Sequence, residues 1–278
     1  MNREALIEII KKKQSYLCVG LDSDPAKIPA HLKSSVDPVF EFNKSIIDVT
    51  HDLTAAYKLN IAFYESNGIE GWQSLEKTIR YLDTYKDVVF TIADAKRGDI
   101  GNTSAMYAKA FLATPPHGLG FDAMTVSPFM GKDSVLPFFT YQDKWVVLLA
   151  LTSNEGARDF QNLKIDQKEQ LFEHVLKVSK DWGNTGNLMY VVGATKAEML
   201  TNIRKIIPDH FLLIPGVGAQ GGSLEEVSRF GLNKDCGLLI NSSRSIIFAS
   251  SGKDFAEKAR QQAEILQRQM SSFLKKIW

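Results

Sequence analysis

Asp94, Lys96 and Asp99 lie close together in the run Asp94-Ala95-Lys96-Arg97-Gly98-Asp99, at the end of the apolar stretch Val88 to Ala93. Carboxylate, ammonium and carboxylate therefore meet where a buried strand reaches solvent. Side chains alternate along a strand, so Asp94 and Lys96 are expected on one face, with Asp99 beyond the turn and able to reach elsewhere. Charges beside a low-dielectric core must be paired or used, and perturbed ionisable groups gather at functional sites. The chemistry open to such a cluster is to hold Lys96 protonated and aim it at a developing carbanion, as general-acid catalysis with electrostatic preorganisation requires. Lys58, which interrupts the apolar run Ala55 to Phe63, would add a second cation. The bland alternatives are a rim salt bridge for the first group and a snorkelling strand-edge side chain for Lys58.

Positioning these groups falls to an alternation of strand-like and helix-like segments. Strands are expected over Tyr16–Asp22, Ala55–Phe63, Val88–Ala93, Ala123–Pro128, Trp145–Leu151, Leu188–Thr195, Phe211–Ile214 and Gly237–Asn241. Helical spacing of apolar residues marks 40–53, 71–85, 100–112, 171–182 and 196–206, with an opening helix at about 2–13 and a closing one at about 254–276. Eight βα units in 278 residues predict an α/β fold, a (β/α)8 TIM barrel in a single domain, its barrel body at about 16–250. A doubly wound open sheet is the alternative. In a barrel the C-terminal strand ends converge on one mouth, which gathers Asp22, Lys58, Asp94, Lys96, Ser127, Gln220 and Arg244. The turn Pro215-Gly216-Val217-Gly218-Ala219-Gln220-Gly221-Gly222 follows the seventh strand and Arg244 the eighth, where barrels often hold a phosphate on open backbone N–H groups and a fixed cation. Tight turns and a surface arginine would leave the same trace.

Composition narrows the function classes. Lys plus Arg at 33 against Asp plus Glu at 32 gives a net charge of +1, which advertises neither a nucleic-acid nor an anionic-membrane surface. No run approaches the roughly 18 apolar residues of a membrane span, and the opening segment, with Glu4 and Glu8, lacks the apolar core of a signal peptide. Cys18 and Cys236 sit in apolar runs, as buried reduced thiols do, and a cytoplasmic setting is the default. The five histidines are scattered, without metal-ligand spacing, so neither metal nor cofactor is expected.

Taken together, Asp94-Ala95-Lys96-Arg97-Gly98-Asp99-Ile100-Gly101-Asn102-Thr103, the Pro215–Gly222 turn and Ser243-Arg244 resemble the orotidine 5'-phosphate decarboxylase family, in its larger bacterial-type (type 2) form. The resemblance runs from Leu21-Asp22 to Arg244 in barrel order. It implies decarboxylation of orotidine 5'-phosphate to uridine 5'-phosphate, the last step of de novo pyrimidine synthesis, without metal or cofactor. It implies a charged tetrad of Lys58, Asp94, Lys96 and Asp99, with Lys96 donating a proton to C6. It further implies that Asp22 and Lys58 bind the ribose, and that Asp99 and Thr103 complete the site of the neighbouring subunit in a homodimer. Ser127 would meet the pyrimidine amide edge, Pro215 would pack by the ring, and Gln220 and Arg244 would grip the phosphate. Ser243 stands where many relatives have glycine, and Asn60 shares a strand face with Lys58. A magnesium-dependent sugar-phosphate decarboxylase of the same superfamily is the nearest rival, but it wants a carboxylate where this chain has Lys58. A non-catalytic phosphosugar-binding barrel would show gaps in the tetrad.

Overall fold

Among the described residues, eight parallel strands pair side by side in chain order and close on themselves. The computed structural model describes residues 1–165, 168–193, 199–216 and 223–278. The strands are β1 (Leu17–Gly20), β2 (Ala56–Asn60), β3 (Phe90–Arg97), β4 (Ala123–Val126), β5 (Trp145–Leu151), β6 (Leu188–Val192), β7 (Phe211–Pro215) and β8 (Leu238–Ser242). They are apolar on both faces because one face fills the barrel and the other meets helices; Val146, Val147 and Leu148 of β5 are all fully buried. Closure comes from β1 pairing with β8, Cys18 opposite Asn241 and Val19 opposite Ser242. That pairing removes the open doubly wound sheet and leaves the expected single-domain (β/α)8 barrel.

The helices are α1 (Arg3–Lys13), α2 (Pro38–Thr50), α3 (Ile61–Glu65), α4 (Gly68–Leu82), α5 (Gly101–Leu112), α6 (Lys132–Val135), α7 (Leu171–Ser179), α8 (Met199–Ile206), α9 (Leu224–Gly231), α10 (Arg244–Ile247) and α11 (Phe255–Leu274). Each longer one buries a stripe; α4 turns Leu75, Ile79 and Leu82 inward. The expected second strand, 55–63, is cut short because the Asn60 carboxamide oxygen accepts from the amide of Ala62 (3.3 Å) and starts α3 there. The third strand runs on beyond Ala93 to Arg97. The end of the sixth expected strand and the start of the helix after it, residues 194–198, lie outside the described residues.

The N-terminal end of the barrel is closed by cations that donate to main-chain carbonyls. Lys13 Nζ serves His51 (2.6 Å), Thr54 (2.8 Å) and Val88, and Lys144 Nζ serves Gly120 (2.8 Å) and Phe121 (2.7 Å). Burial pulls the Lys13 ammonium down to about 8. Both cysteines are buried and free, and burial pushes their thiols up to about 12.

Candidate active site

At the opposite end of the barrel, β2 carries Lys58 between Gly20 of β1 and Ile92 of β3. The side chain is nearly inaccessible, with the whole residue 4% exposed. Its Nζ lies 3.1 Å from Asp22 Oδ1 and 3.0 Å from Asp94 Oδ2. The other Asp94 oxygen, Oδ1, accepts from Lys96 Nζ at 2.6 Å and from Thr125 Oγ1 at 3.0 Å. Asp22, Lys58, Asp94 and Lys96 thus form one chain of alternating charge drawn from three neighbouring strands. Burial would raise the Asp94 carboxyl, but the Lys58 and Lys96 ammoniums outweigh it and hold the group down at about 2. Burial would likewise lower Lys58; the Asp22 and Asp94 carboxylates reverse this and keep it firmly protonated.

The loop bearing Asp22 rests on a buried polar network. Tyr64 donates its hydroxyl to the Leu21 carbonyl (3.0 Å), and Asn43 Nδ2 donates to Tyr64 (3.0 Å) and to Thr78 (3.0 Å). Lys96 arrives differently from the expected regular alternation: its φ is +48°, and the β3–β4 register shifts between Ala93 and Arg97. The two side chains do meet, through an irregular strand end.

A cavity of about 190 Å³ opens over this chain of charges. Asp22, Lys58 and Asp94 line it together with Pro215, Gly216 and Arg244. Gly216 takes φ +86°, a backbone region that side chains rarely adopt. Arg244 is exposed at the start of α10 and makes no ion pair among the described residues. Asn60 and Ser243 also line the cavity, as do Asn241, the last residue of the expected eighth strand, and Ser242 just beyond it. A Cβ on Gly20 would come within 2.7 Å of the Ser243 Cβ, so the serine that precedes Arg244 sits against a position kept bare on β1. The Ser243 hydroxyl is buried and has no hydrogen-bond partner among the described residues.

The remaining expected residues are placed apart. Asp99 Oδ1 accepts from the Ile100 amide (2.7 Å), and the Asp99 carbonyl accepts from Ser104 Oγ (2.5 Å) and from Ser134 Oγ. No hydrogen bond or ion pair joins Asp99 to Lys58, Asp94 or Lys96 among the described residues. Thr103 is exposed on the first turn of α5, in a neighbourhood of exposed apolar side chains: Ile100 and Met106 at 59% and Phe129 at 88%. Ser127 does not line the cavity; its hydroxyl accepts from the Phe129 amide (3.4 Å). A different strand-end serine, Ser153 after β5, lines a second cavity of about 590 Å³ with Thr152, Asn154 and Asn202. Gln220, with Gly218, Gly221 and Gly222, lies outside the described residues. Among those described, no three His, Cys, Asp or Glu side chains are grouped to hold a metal ion, and no helix is long and apolar enough to cross a membrane. Between Asp22 and Asp94, where a divalent cation would find carboxylates, stands the Lys58 ammonium.

Residues 15–259 match the family described as orotidine 5'-phosphate decarboxylase / HUMPS. A relative from Christiangramia forsetii named orotidine 5'-phosphate decarboxylase is 61% identical over 277 residues, covering 100% of each chain. One of the same name from Bacteroides fragilis is 55% identical over 278 residues, again covering 100% of each. The solved structure of Leishmania donovani OMP decarboxylase is similar with a TM-score of 0.78 at 35% identity, over 96% of this chain and 99% of its own.

Proposed function

We propose, since this chain belongs to the orotidine 5'-phosphate decarboxylase / HUMPS family, that it converts orotidine 5'-phosphate to uridine 5'-phosphate and carbon dioxide, the last step of de novo pyrimidine synthesis. The observation that carries this reading is the chain Asp22, Lys58, Asp94 and exposed Lys96, whose first three members line one small cavity together with the turn at Gly216 and with Arg244, which makes no ion pair among the described residues. The same cavity thus brings together the fixed charges of β1 to β3 and an anion-binding corner after β7 and β8. A nucleotide whose phosphate is remote from its reacting carbon needs both.

In the proposed reaction the bond from C6 to the carboxylate breaks and its electron pair stays on C6. The Lys96 ammonium stabilises that charge and then delivers its proton to C6. Asp94, anionic and held from both sides, keeps Lys96 in place and stands by the departing carboxylate. Its two oxygens are already committed to Lys58 and Lys96, so little reorganisation accompanies the step. Asp22 and Lys58 bind ribose hydroxyls, Pro215 packs by the ring, and Arg244 and Gln220 hold the phosphate. Binding energy taken up at that distant phosphate can be spent on closing the mouth and excluding water. The pyrimidine amide edge is assigned to a strand-end hydroxyl, Ser127 or Ser153. Lys58, filling the place between two carboxylates, supports a reaction that needs no metal.

A homodimer accounts for Asp99 and Thr103. Both stand off their own chain's charges, and the apolar Ile100, Met106 and Phe129 around them form a surface suited to a second copy, across which they would complete its site. A cytoplasmic setting fits two buried, reduced cysteines. The test is loss of orotidine 5'-phosphate, followed by ultraviolet absorbance with chelator in excess, for the intact protein and for Lys96→Ala. Conversion to uridine 5'-phosphate by the first and none by the second is expected. Folded protein that converts nothing, or needs magnesium, would overturn the reading.

A further inference from the structure

Between β3 and β4 the strands fall out of step. Ala93 pairs with Met124 and Arg97 with Val126, so Asp94, Ala95 and Lys96 all face the single residue Thr125. Thr125 is fully buried. Its Oγ1 accepts from the Lys96 amide at 2.8 Å and lies 3.0 Å from Asp94 Oδ1. The proton positions follow from the groups themselves. A main-chain N–H can only donate and an ionised carboxylate can only accept, so the one hydroxyl proton of Thr125 must point to Asp94. Lys96 Nζ reaches the same Oδ1 at 2.6 Å. The result is a closed ring that runs from the Lys96 amide through Thr125 to Asp94 and returns through the Lys96 ammonium.

We propose that Thr125 is the positioning residue of the proton donor. The bulge costs β3 its ladder partner just where Lys96 takes its left-handed backbone, at φ +48°. The threonine hydroxyl stands in for the missing carbonyl and, with its other side, fixes the carboxylate that aims the ammonium. Thr125 lies outside the cavity at the phosphate and ribose contacts. It therefore acts on the step in which Lys96 gives up its proton, and leaves the binding of the nucleotide alone. The proposal rests on the decarboxylase reading above.

The test is Thr125→Val, nearly the same shape without the hydroxyl, beside Thr125→Ser, which keeps it. For Thr125→Val, kcat is expected to fall by about 10- to 100-fold, the range a slightly misplaced catalytic group produces. KM and the inhibition constant of uridine 5'-phosphate should stay within about threefold, and Thr125→Ser should recover kcat to within about threefold. Should Thr125→Val not fold, Thr125→Ala carries the same expectations. Unchanged kcat in the valine variant overturns the proposal, as does a serine variant as impaired as the valine one, or KM rising in step with the loss. Absence of turnover by the unmodified protein would instead sink the decarboxylase reading itself.

Discussion

Replacing Lys58 with methionine removes the cation that both Asp22 and Asp94 face and leaves the volume nearly unchanged. In the intact protein Asp94 is held at about 2 against an ordinary value of 3.8. At about 1.4 kcal/mol per pH unit, its ion pairing contributes on the order of 2 kcal/mol to stability at neutral pH. Because the folded value is depressed, that contribution is present above pH 3.8 and is lost as the pH falls through 2. In Lys58→Met, Lys96 alone, still 2.6 Å from Asp94 Oδ1, opposes burial and the now unneutralised Asp22, so the Asp94 carboxyl rises relative to the intact protein, and keeping it ionised in the folded state carries a penalty that is relieved when Asp94 takes a proton. Breaking a buried pair by removing one partner typically costs about 3–5 kcal/mol. Urea denaturation read by tryptophan fluorescence at pH 7.5 and at pH 4.5 would measure this. The midpoint of Lys58→Met should drop sharply at the higher pH, the deficit should narrow at the lower one, and adding Asp94→Asn should restore part of the loss. A variant as stable as the parent at pH 7.5, or a deficit identical at both values, refutes the electrostatic account of the site.

Three further outcomes are expected. Mixing inactive Lys96→Ala and Asp99→Asn proteins after a cycle of dissociation should restore about a quarter of full activity, because half the random dimers hold one intact site of two; a mixture as silent as its parts would place Asp99 in its own chain's site, and an active Asp99→Asn parent would place it in none. His210, 8% exposed with neither ring nitrogen bonded among the described residues, is pulled from 6.5 to about 4 by burial and by Arg3 and Arg204. Its folded value lies below its unfolded one, so stability should fall as the pH drops from about 6.5 through 4, at up to about 1.4 kcal/mol per unit, and His210→Phe should flatten that slope; parallel slopes in the two proteins would remove His210 from the account. Ser127→Ala and Ser153→Ala separate the two candidates for the pyrimidine edge. KM and kcat should respond in the variant that loses the contact and remain near the parent's in the other, and equal silence in both would take the amide edge to another group.

The barrel was legible because strands buried on both faces read as unbroken apolar runs, and Trp145–Leu151 is as plain in the chain as in the fold. Asp22, Lys58, Asp94 and Arg244 stood out for a related reason: a charge that ends or interrupts such a run is costly unless it is used. Ile61 to Phe63 misled because a short apolar segment fits strand or helix equally, and the deciding contact, the Asn60 cap, is a matter of geometry. Asn241 and Ser242 looked like strand termini, since nothing in their types reveals that β8 ends over the cavity. Ser127 was placed by its position after β4, yet the direction a strand-end side chain takes depends on the register of its neighbours, and here it turns to the Phe129 amide. Thr125 left the faintest trace of all. A threonine inside a strand is ordinary, and a shift of register is invisible until both strands are seen together.

That shift has a numerical side. From Ala93 to Arg97 β3 takes four steps while β4 takes two, Met124 to Val126, so the surplus is two residues. Strands repeat every two residues, and an even surplus returns both strands to the same phase. Arg97 accordingly regains the outward direction, where it pairs with Glu65 and lies over the rings of Tyr107 and Phe111. Those two extra residues are also the slack in which the Lys96 backbone turns to meet Thr125 while its ammonium reaches back to Asp94, so the irregular stretch that breaks the ladder is the same one that brings the two charged side chains together.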